Sequence, residues 1–208
     1  MEVYKEGWNL IHTTFSTEIW EEYDHQCKIN NESLAKIIID RSLTESSIKL
    51  SNMGGWQSSD DLVEDAQFTD LIKFVREKLL KVALHNNYVD GLECVIVNMW
   101  ANVNNHKDLN WAHLHPNSDW SFCYYVKATE NSGDFVACDP RVRRLMKVQD
   151  ELLSNYNNNS QHSIYAISPL NGKLVIFPSY LEHYVEPNLT QETRISIAGN
   201  IRYESLHS

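Results

Sequence analysis

Asp90-Gly-Leu92-Glu-Cys-Val-Ile-Val-Asn98-Met-Trp100-Ala-Asn102-Val103 marks the place where the hydrophobic period of the chain changes. Before it, apolar residues recur every three or four positions. The strongest such stripe lies within roughly 60–85, where Phe68, Leu71, Ile72, Val75, Leu79 and Val82 share one side while Lys73, Arg76, Glu77 and Lys81 face away. That pattern predicts an amphipathic helix whose stripe packs on a core. Shorter helices are predicted over 17–26 and 32–41, the second with Asn31 as its N-cap. After Gly91 the period falls to two. Strands rich in Val, Ile, Tyr and Phe are predicted over 92–103, 121–128, 134–138, 163–167, 173–177 and 194–203. Ser132-Gly133 and Asn171-Gly172 are turn signals, and the latter is a hairpin cue. Helices first and short antiparallel strands after them predict an α+β fold, a barrel or jelly roll with N-terminal helices packed on one sheet.

A chain of 208 residues with 42% hydrophobic content suits a single domain, 1–208, that needs no disulfide or metal to fold. Its helical part would cover about 1–90 and its jelly-roll core about 91–205. Charged side chains sum to -10, which makes a nucleic acid gripped through its phosphates an unfavourable partner. A short basic run, Arg141, Arg143, Arg144 and Lys147, reads as a solvated helix face, and Asn155 to Asn159 as an exposed loop. No apolar stretch is long enough for a membrane span. Cys27, Cys94, Cys123 and Cys138 stand singly, and the first residues lack the basic and apolar regions of a secretory signal. A cytoplasmic location is therefore expected.

The chemistry gathers in two places. In Trp111-Ala-His113-Leu-His115-Pro-Asn-Ser-Asp119-Trp120, a strand would put His113 and His115 on one face, where two imidazoles could reach one metal ion. In Lys173-Leu-Val-Ile-Phe-Pro178-Ser-Tyr-Leu-Glu-His183, an apolar strand meets a proline stop and then a histidine at the mouth of the next strand. Eleven residues later, Arg194-Ile-Ser196 places an arginine fork and a hydroxyl on one face, a potential carboxylate clamp. His12, His25, His85, His106, His162 and His207 lack neighbours at ligand spacing. Asp60-Asp61 and Glu64-Asp65 read as acidic charge at a helix N-terminus. Trp8, Trp20 and Trp56 read as packing residues, whereas Trp111 and Trp120 flank the histidines and could wall a substrate pocket.

These blocks, in this order, resemble the 2-oxoglutarate and Fe(II)-dependent oxygenases, and more narrowly an oxygenase family found in bacteria and marine phages. The resemblance rests on Ser51-Asn-Met-Gly-Gly-Trp-Gln-Ser58, Trp100-Ala-Asn-Val-Asn104, His113-Leu-His-Pro-Asn-Ser118, Tyr124-Tyr-Val126, Cys138-Asp-Pro-Arg141, Phe177-Pro-Ser179, His183 and Arg194-Ile-Ser-Ile-Ala-Gly-Asn200. It implies a double-stranded β-helix, a cupin-like jelly roll, holding Fe(II) and 2-oxoglutarate and using molecular oxygen to hydroxylate a small molecule or a protein side chain. It further implies that Arg194 and Ser196 bind the far carboxylate of 2-oxoglutarate and that Tyr124 or Tyr125 and Asn98 line the cofactor. Trp100, Asn102, Trp111 and Trp120 would face substrate. The family's metal triad is two histidines and a carboxylate, and here His115 occupies the carboxylate position. His113, His115 and His183 are therefore the expected ligands, with Asp119 in reserve. Two other readings stay open: a three-histidine cupin-like enzyme that does not use 2-oxoglutarate, and a jelly-roll binding module whose metal is structural. Exposed strand edges make a homodimer conceivable.

Overall fold

The computed structural model describes residues 15–25, 28–88, 91–141 and 163–205. Trp8, His12, Cys27, Arg143, Arg144, Lys147, Asn155 to Asn159, His162 and His207 lie outside the described residues. In chain order the elements are β1 (Trp20–Tyr23), α1 (Asn31–Thr44), β2 (Asn52–Met53), β3 (Trp56–Gln57), α2 (Thr69–His85), β4 (Leu92–Asn104), β5 (Leu109–His113), β6 (Trp120–Lys127), β7 (Phe135–Cys138), β8 (Ile164–Ile167), β9 (Lys173–Pro178), β10 (His183–Val185) and β11 (Arg194–Ser205). They form a six-stranded sheet in the order β1-β9-β6-β11-β4-β3 and a five-stranded sheet in the order β2-β5-β10-β7-β8. Neighbouring strands within each sheet are antiparallel. From β4 to β7 successive strands alternate between the sheets, and they do so again from β9 to β11. This is the winding of a jelly roll.

The larger sheet is covered on both faces. Leu34 and Ile38 of α1 and Leu71, Phe74, Val75, Leu79 and Val82 of α2 pack with Ile96, Phe122, Tyr124, Ile195, Ile197 and Ile201. Between the sheets lies a second apolar cluster with Tyr125, Phe135, Ile167, Val175, Phe177 and Leu181. Tyr124 and Tyr125 thus enter opposite layers, as the alternation of a strand requires.

The expected α+β architecture, with N-terminal helices on one sheet, is what the chain adopts. Several local expectations are corrected. Residues 17–26 contain a strand rather than a helix. Trp20 to Tyr23 pair with Lys173 to Ile176, and Glu21 meets the buried Lys173 ammonium at 2.9 Å. The free edge of β9 and that ion pair override local helical preference. The cap of α1 is Asn30, whose Oδ1 accepts from the Ser33 N–H at 3.0 Å, whereas Asn31 accepts from the Tyr124 hydroxyl. The helix over 60–85 begins only at Thr69, because 62–64 and 66–68 form tight 3-10 turns, the second braced by the Asp65 carboxylate on the Gln67 N–H. Asn171-Gly172 closes no hairpin, since β8 and β9 belong to different sheets; the turn carries the chain from one sheet to the other.

Gly133 makes the corresponding turn between β6 and β7 with φ +98°, and a Cβ there would collide with the Glu186 carbonyl and with Arg194 Nη1. Gly133→Ala should therefore lower stability by about 2 kcal/mol, from backbone strain and crowding together. A urea denaturation midpoint measures the loss.

Candidate metal and carboxylate site

β5 and β10 lie side by side, and their register sets His113 opposite His183. Directly paired residues on one face bring their side chains into contact, and here the two rings lie 4.3 Å apart between centroids. His115 follows two residues after β5 ends, where its N–H donates to the Ser179 carbonyl at 3.0 Å. That bond keeps the loop against the sheet and puts the His115 ring 5.1 Å from that of His183, nearly parallel to it. One nitrogen from each of the three rings lies within 4.8 Å of the others. Among the described residues this is the only such cluster of potential metal ligands.

Two of the rings are oriented by backbone. His113 Nδ1 is 2.6 Å from the Trp111 carbonyl and His183 Nδ1 is 2.9 Å from the Leu181 carbonyl. A carbonyl only accepts, so each Nδ1 carries the proton and each Nε2 presents a lone pair. Nε2 of His115 and Nε2 of His183 then face each other at 3.3 Å, an arrangement suited to a shared cation. Asp119 does not join them. Its carboxylate accepts the Tyr203 N–H at 2.9 Å, which ties it to the end of β11.

Burial keeps these imidazoles neutral. Desolvation, then the charge of neighbouring His113, pulls His183 down to about 3 and His115 to about 4, and desolvation also lowers His113. Folded values below the ordinary 6.5 mean that the unfolded chain takes up protons first as pH falls. The metal-free protein should thus be most stable above pH 6.5, with His115 and His183 each costing on the order of 2 kcal/mol between pH 6.5 and 5. Urea midpoints across that range, with a shallower slope in His183→Ala, would check the sign.

The histidines stand at one wall of a cavity of about 790 Å³. Across it, the larger sheet presents side chains in rows fixed by register. Asn102, Ser196 and Tyr125 form one row, Trp100, Ala198 and Cys123 the next, and Asn98, Asn200 and Ser121 a third. Arg194 lies opposite Asn104, beyond the first row. It is almost wholly buried, at 1% exposure. Its Nη1 donates to the carbonyls of Ser132, Gly133 and Glu186, while Nη2 has no partner. No carboxylate lies within ion-pair distance among the described residues, and burial pulls the guanidinium below its usual value. The Tyr125 hydroxyl beside it is likewise buried without a hydrogen bond, with the Cys123 thiol as neighbour, and burial pushes it well above the usual phenol range. A buried cation with a spare donor, next to a protonated phenol and the Ser196 hydroxyl, fits an anionic carboxylate. Cys123 is itself pushed up to about 11, chiefly by burial, and stays a neutral thiol.

Other sequence expectations are redistributed. Tyr124 does not line the cavity; it packs on Phe74 under the sheet and donates to Asn31. Trp120 sits in the helix-side core. Trp100 and Trp111 do line the cavity, with Trp111 exposed at its mouth. The two asparagines lie in different rows. Asn102 shares the row of Ser196 and Tyr125, whereas Asn98 lies six residues from Asn104 along β4, about 20 Å by strand rise, too far to share the Arg194 end. The Ser51–Ser58 block, for which the sequence offers no chemistry, contributes Ser51, Gln57 and Ser58 to the cavity. Its Gly54 has φ +72° and abuts the Asp108 carboxylate with no room for a Cβ. Asp60, read from sequence as helix-end charge, also lines the cavity and accepts from Asn98 Nδ2 at 3.1 Å.

Residues 98–200 match a family model described as "Putative 2OG-Fe(II) oxygenase". No curated protein sequence matches the chain. Among solved structures, a Pseudomonas putida prolyl-4-hydroxylase is similar at TM-score 0.60 and 15% identity, covering 90% of this chain and 93% of that one. A viral collagen prolyl hydroxylase from Paramecium Bursaria Chlorella virus-1, in its 2OG complex, gives 0.57 and 15%, covering 88% and 94%. HygX from Streptomyces hygroscopicus, with nickel, 2-oxoglutarate and hygromycin B bound, gives 0.58 and 12%, covering 92% and 84%. At such identities these likenesses establish the fold, a double-stranded β-helix.

Proposed function

Because the chain belongs to the 2OG-Fe(II) oxygenase family, and is therefore a 2-oxoglutarate-dependent non-haem iron dioxygenase, we propose that His113, His115 and His183 hold the iron and that Arg194, Ser196 and Tyr125 hold the far carboxylate of 2-oxoglutarate. The observation that carries the assignment is the pairing of three converging neutral imidazoles with a buried, half-satisfied guanidinium on one cavity. When bound, the metal and 2-oxoglutarate supply the oxidising chemistry that splits the co-substrate into succinate and carbon dioxide and hydroxylates the substrate.

The protein's own groups do the rest. The Trp111 and Leu181 carbonyls fix the tautomers of His113 and His183 and aim their Nε2 lone pairs. Phe135 and Phe177 pack around His183, with ring centroids at 5.0 and 4.6 Å, and keep water from its back. The Ser132, Gly133 and Glu186 carbonyls lock Arg194 so that Nη2 remains for the ligand. Ser196 and Tyr125 add neutral donors beside it. Trp100 lies beside His115, 5.7 Å between centroids, and shares the cavity wall with it.

The substrate is a small molecule or a protein side chain. Both kinds are compatible with the size of the cavity, and the structurally similar proteins include one bound to hygromycin B and one bound to a peptide fragment. The acidic balance disfavours nucleic acid. The chain acts as one domain in the cytoplasm, a placement supported by free thiols at Cys94, Cys123 and Cys138, and a homodimer would use strand edges. No helix of the described residues is long and apolar enough to cross a membrane.

The direct test is succinate release from 2-oxoglutarate in air. Release that requires both Fe(II) and 2-oxoglutarate, and is lost in His113→Ala, supports the assignment. Iron-loaded protein that neither binds nor consumes 2-oxoglutarate would favour the three-histidine cupin-like enzyme.

A further inference from the structure

The cavity is electrostatically two-ended. Arg194 is at one end, and the carboxylate of Asp60 is at the other, beside Asn98 and the row it shares with Asn200 and Ser121. Among the lining residues Asp60 is the only carboxylate and Arg194 the only Lys or Arg. Asp60 pairs with no cation among the described residues. Its Oδ2 accepts from Asn98 Nδ2 at 3.1 Å, which settles how the Asn98 amide is turned. The Asn98 Oδ1 that remains is a buried acceptor with no hydrogen-bond partner. An acidic oxygen and an unused carbonyl oxygen side by side call for a ligand that donates hydrogen bonds and carries positive charge. Asp60 itself is exposed, and the same cavity is lined by apolar and aromatic side chains, Ile48, Leu50, Trp100 and Trp111, suited to a hydrocarbon stem.

We infer that the substrate is a cation on an apolar stem, a guanidinium or ammonium compound or side chain, whose charged head is held by Asp60 and Asn98. The inference rests on the reading of this cavity as the oxygenase site and names the substrate class for it. A planar guanidinium satisfies both acceptors at once, with two donors in one plane. The chain's net charge of -10 would also raise the encounter rate of cations at low salt.

The test is anaerobic calorimetry on protein loaded with Fe(II) and 2-oxoglutarate, using three probes with one stem: n-hexylguanidinium, neutral n-hexylurea and hexanoate. Guanidinium stays protonated at neutral pH and does not ligate the metal. It should bind about tenfold more tightly than the urea and more tightly still than hexanoate. Asp60→Asn should bring the guanidinium to the affinity of the urea. Equal binding of urea and guanidinium by the wild type, preference for hexanoate, or no binding of the guanidinium would overturn the inference. The visible band of the 2-oxoglutarate chelate in the same wild-type sample separates the two failures. With the band present and no cation preference, only the substrate class falls. With no band, the oxygenase reading of the cavity falls, and the inference with it.

Discussion

Replacing Arg194 by alanine should raise the 2-oxoglutarate concentration needed for half-saturation about thirtyfold or more. A charge-assisted contact to a carboxylate at a buried site is worth about 2–5 kcal/mol, and 1.4 kcal/mol is tenfold. The wild-type guanidinium is unusually well placed to deliver this. Nη1 is spent on three backbone carbonyls, so the side chain cannot swing away, and Nη2 is left over. Alanine also leaves the Ser132, Gly133 and Glu186 carbonyls short of a donor, which costs stability as well as affinity. Arg194→Lys separates the two effects, because it keeps a charge but has no fork. It should fold and bind 2-oxoglutarate with intermediate affinity. Calorimetric titration of the nickel-loaded protein reads both values, and an unchanged affinity in Arg194→Ala would remove that residue from the site.

The second large effect is on the metal. His183→Ala should weaken Fe(II) or Ni(II) binding by more than the roughly hundredfold that loss of a hydrogen-bond partner behind a ligand costs. It should abolish turnover. Among the three rings His183 is the most buried, with Phe135, Phe177 and the Leu181 carbonyl all fixing it. Asp119→Ala is the informative companion. Its carboxylate serves the Tyr203 N–H, so the variant should lose some stability and keep its metal affinity. A drop in metal affinity in Asp119→Ala, with His115→Ala unaffected, would restore the ordinary two-histidine, one-carboxylate set. Metal titrations followed by tryptophan fluorescence distinguish the two.

Much of this was legible in the chain because the features are local. The change of period at Leu92 announced β4, and the strands β6, β7, β8, β9 and β11 fall within one or two residues of their predicted bounds. The H-x-H pair and the spacing from His183 to Arg194 survive as one cavity wall and its far end. What was hidden depends on partners remote in sequence. β1 is a strand only because β9 has an open edge and Lys173 needs Glu21. Tyr124 and Tyr125 are indistinguishable in sequence, and only the side on which α2 packs tells which one sees the cavity. Asn98 and Asn102 differ by four positions on one face, so sequence places both on the cavity but not at which end. Asp60 reads as helix charge in the sequence because the turn that precedes α2 leaves no periodic trace. The two glycines at 54 and 55, both with positive φ, were the one signal that the Ser51–Ser58 block is bent for a purpose.

The central claim is that one cavity holds iron on three histidines and 2-oxoglutarate on Arg194. An anaerobic visible spectrum, recorded after adding Fe(II) and then 2-oxoglutarate, tests it most directly. The account predicts a weak charge-transfer band in the wild type, none in His183→Ala, and in Arg194→Ala a band that appears only at much higher 2-oxoglutarate. Iron bound at the histidines with no band at any 2-oxoglutarate concentration would contradict it.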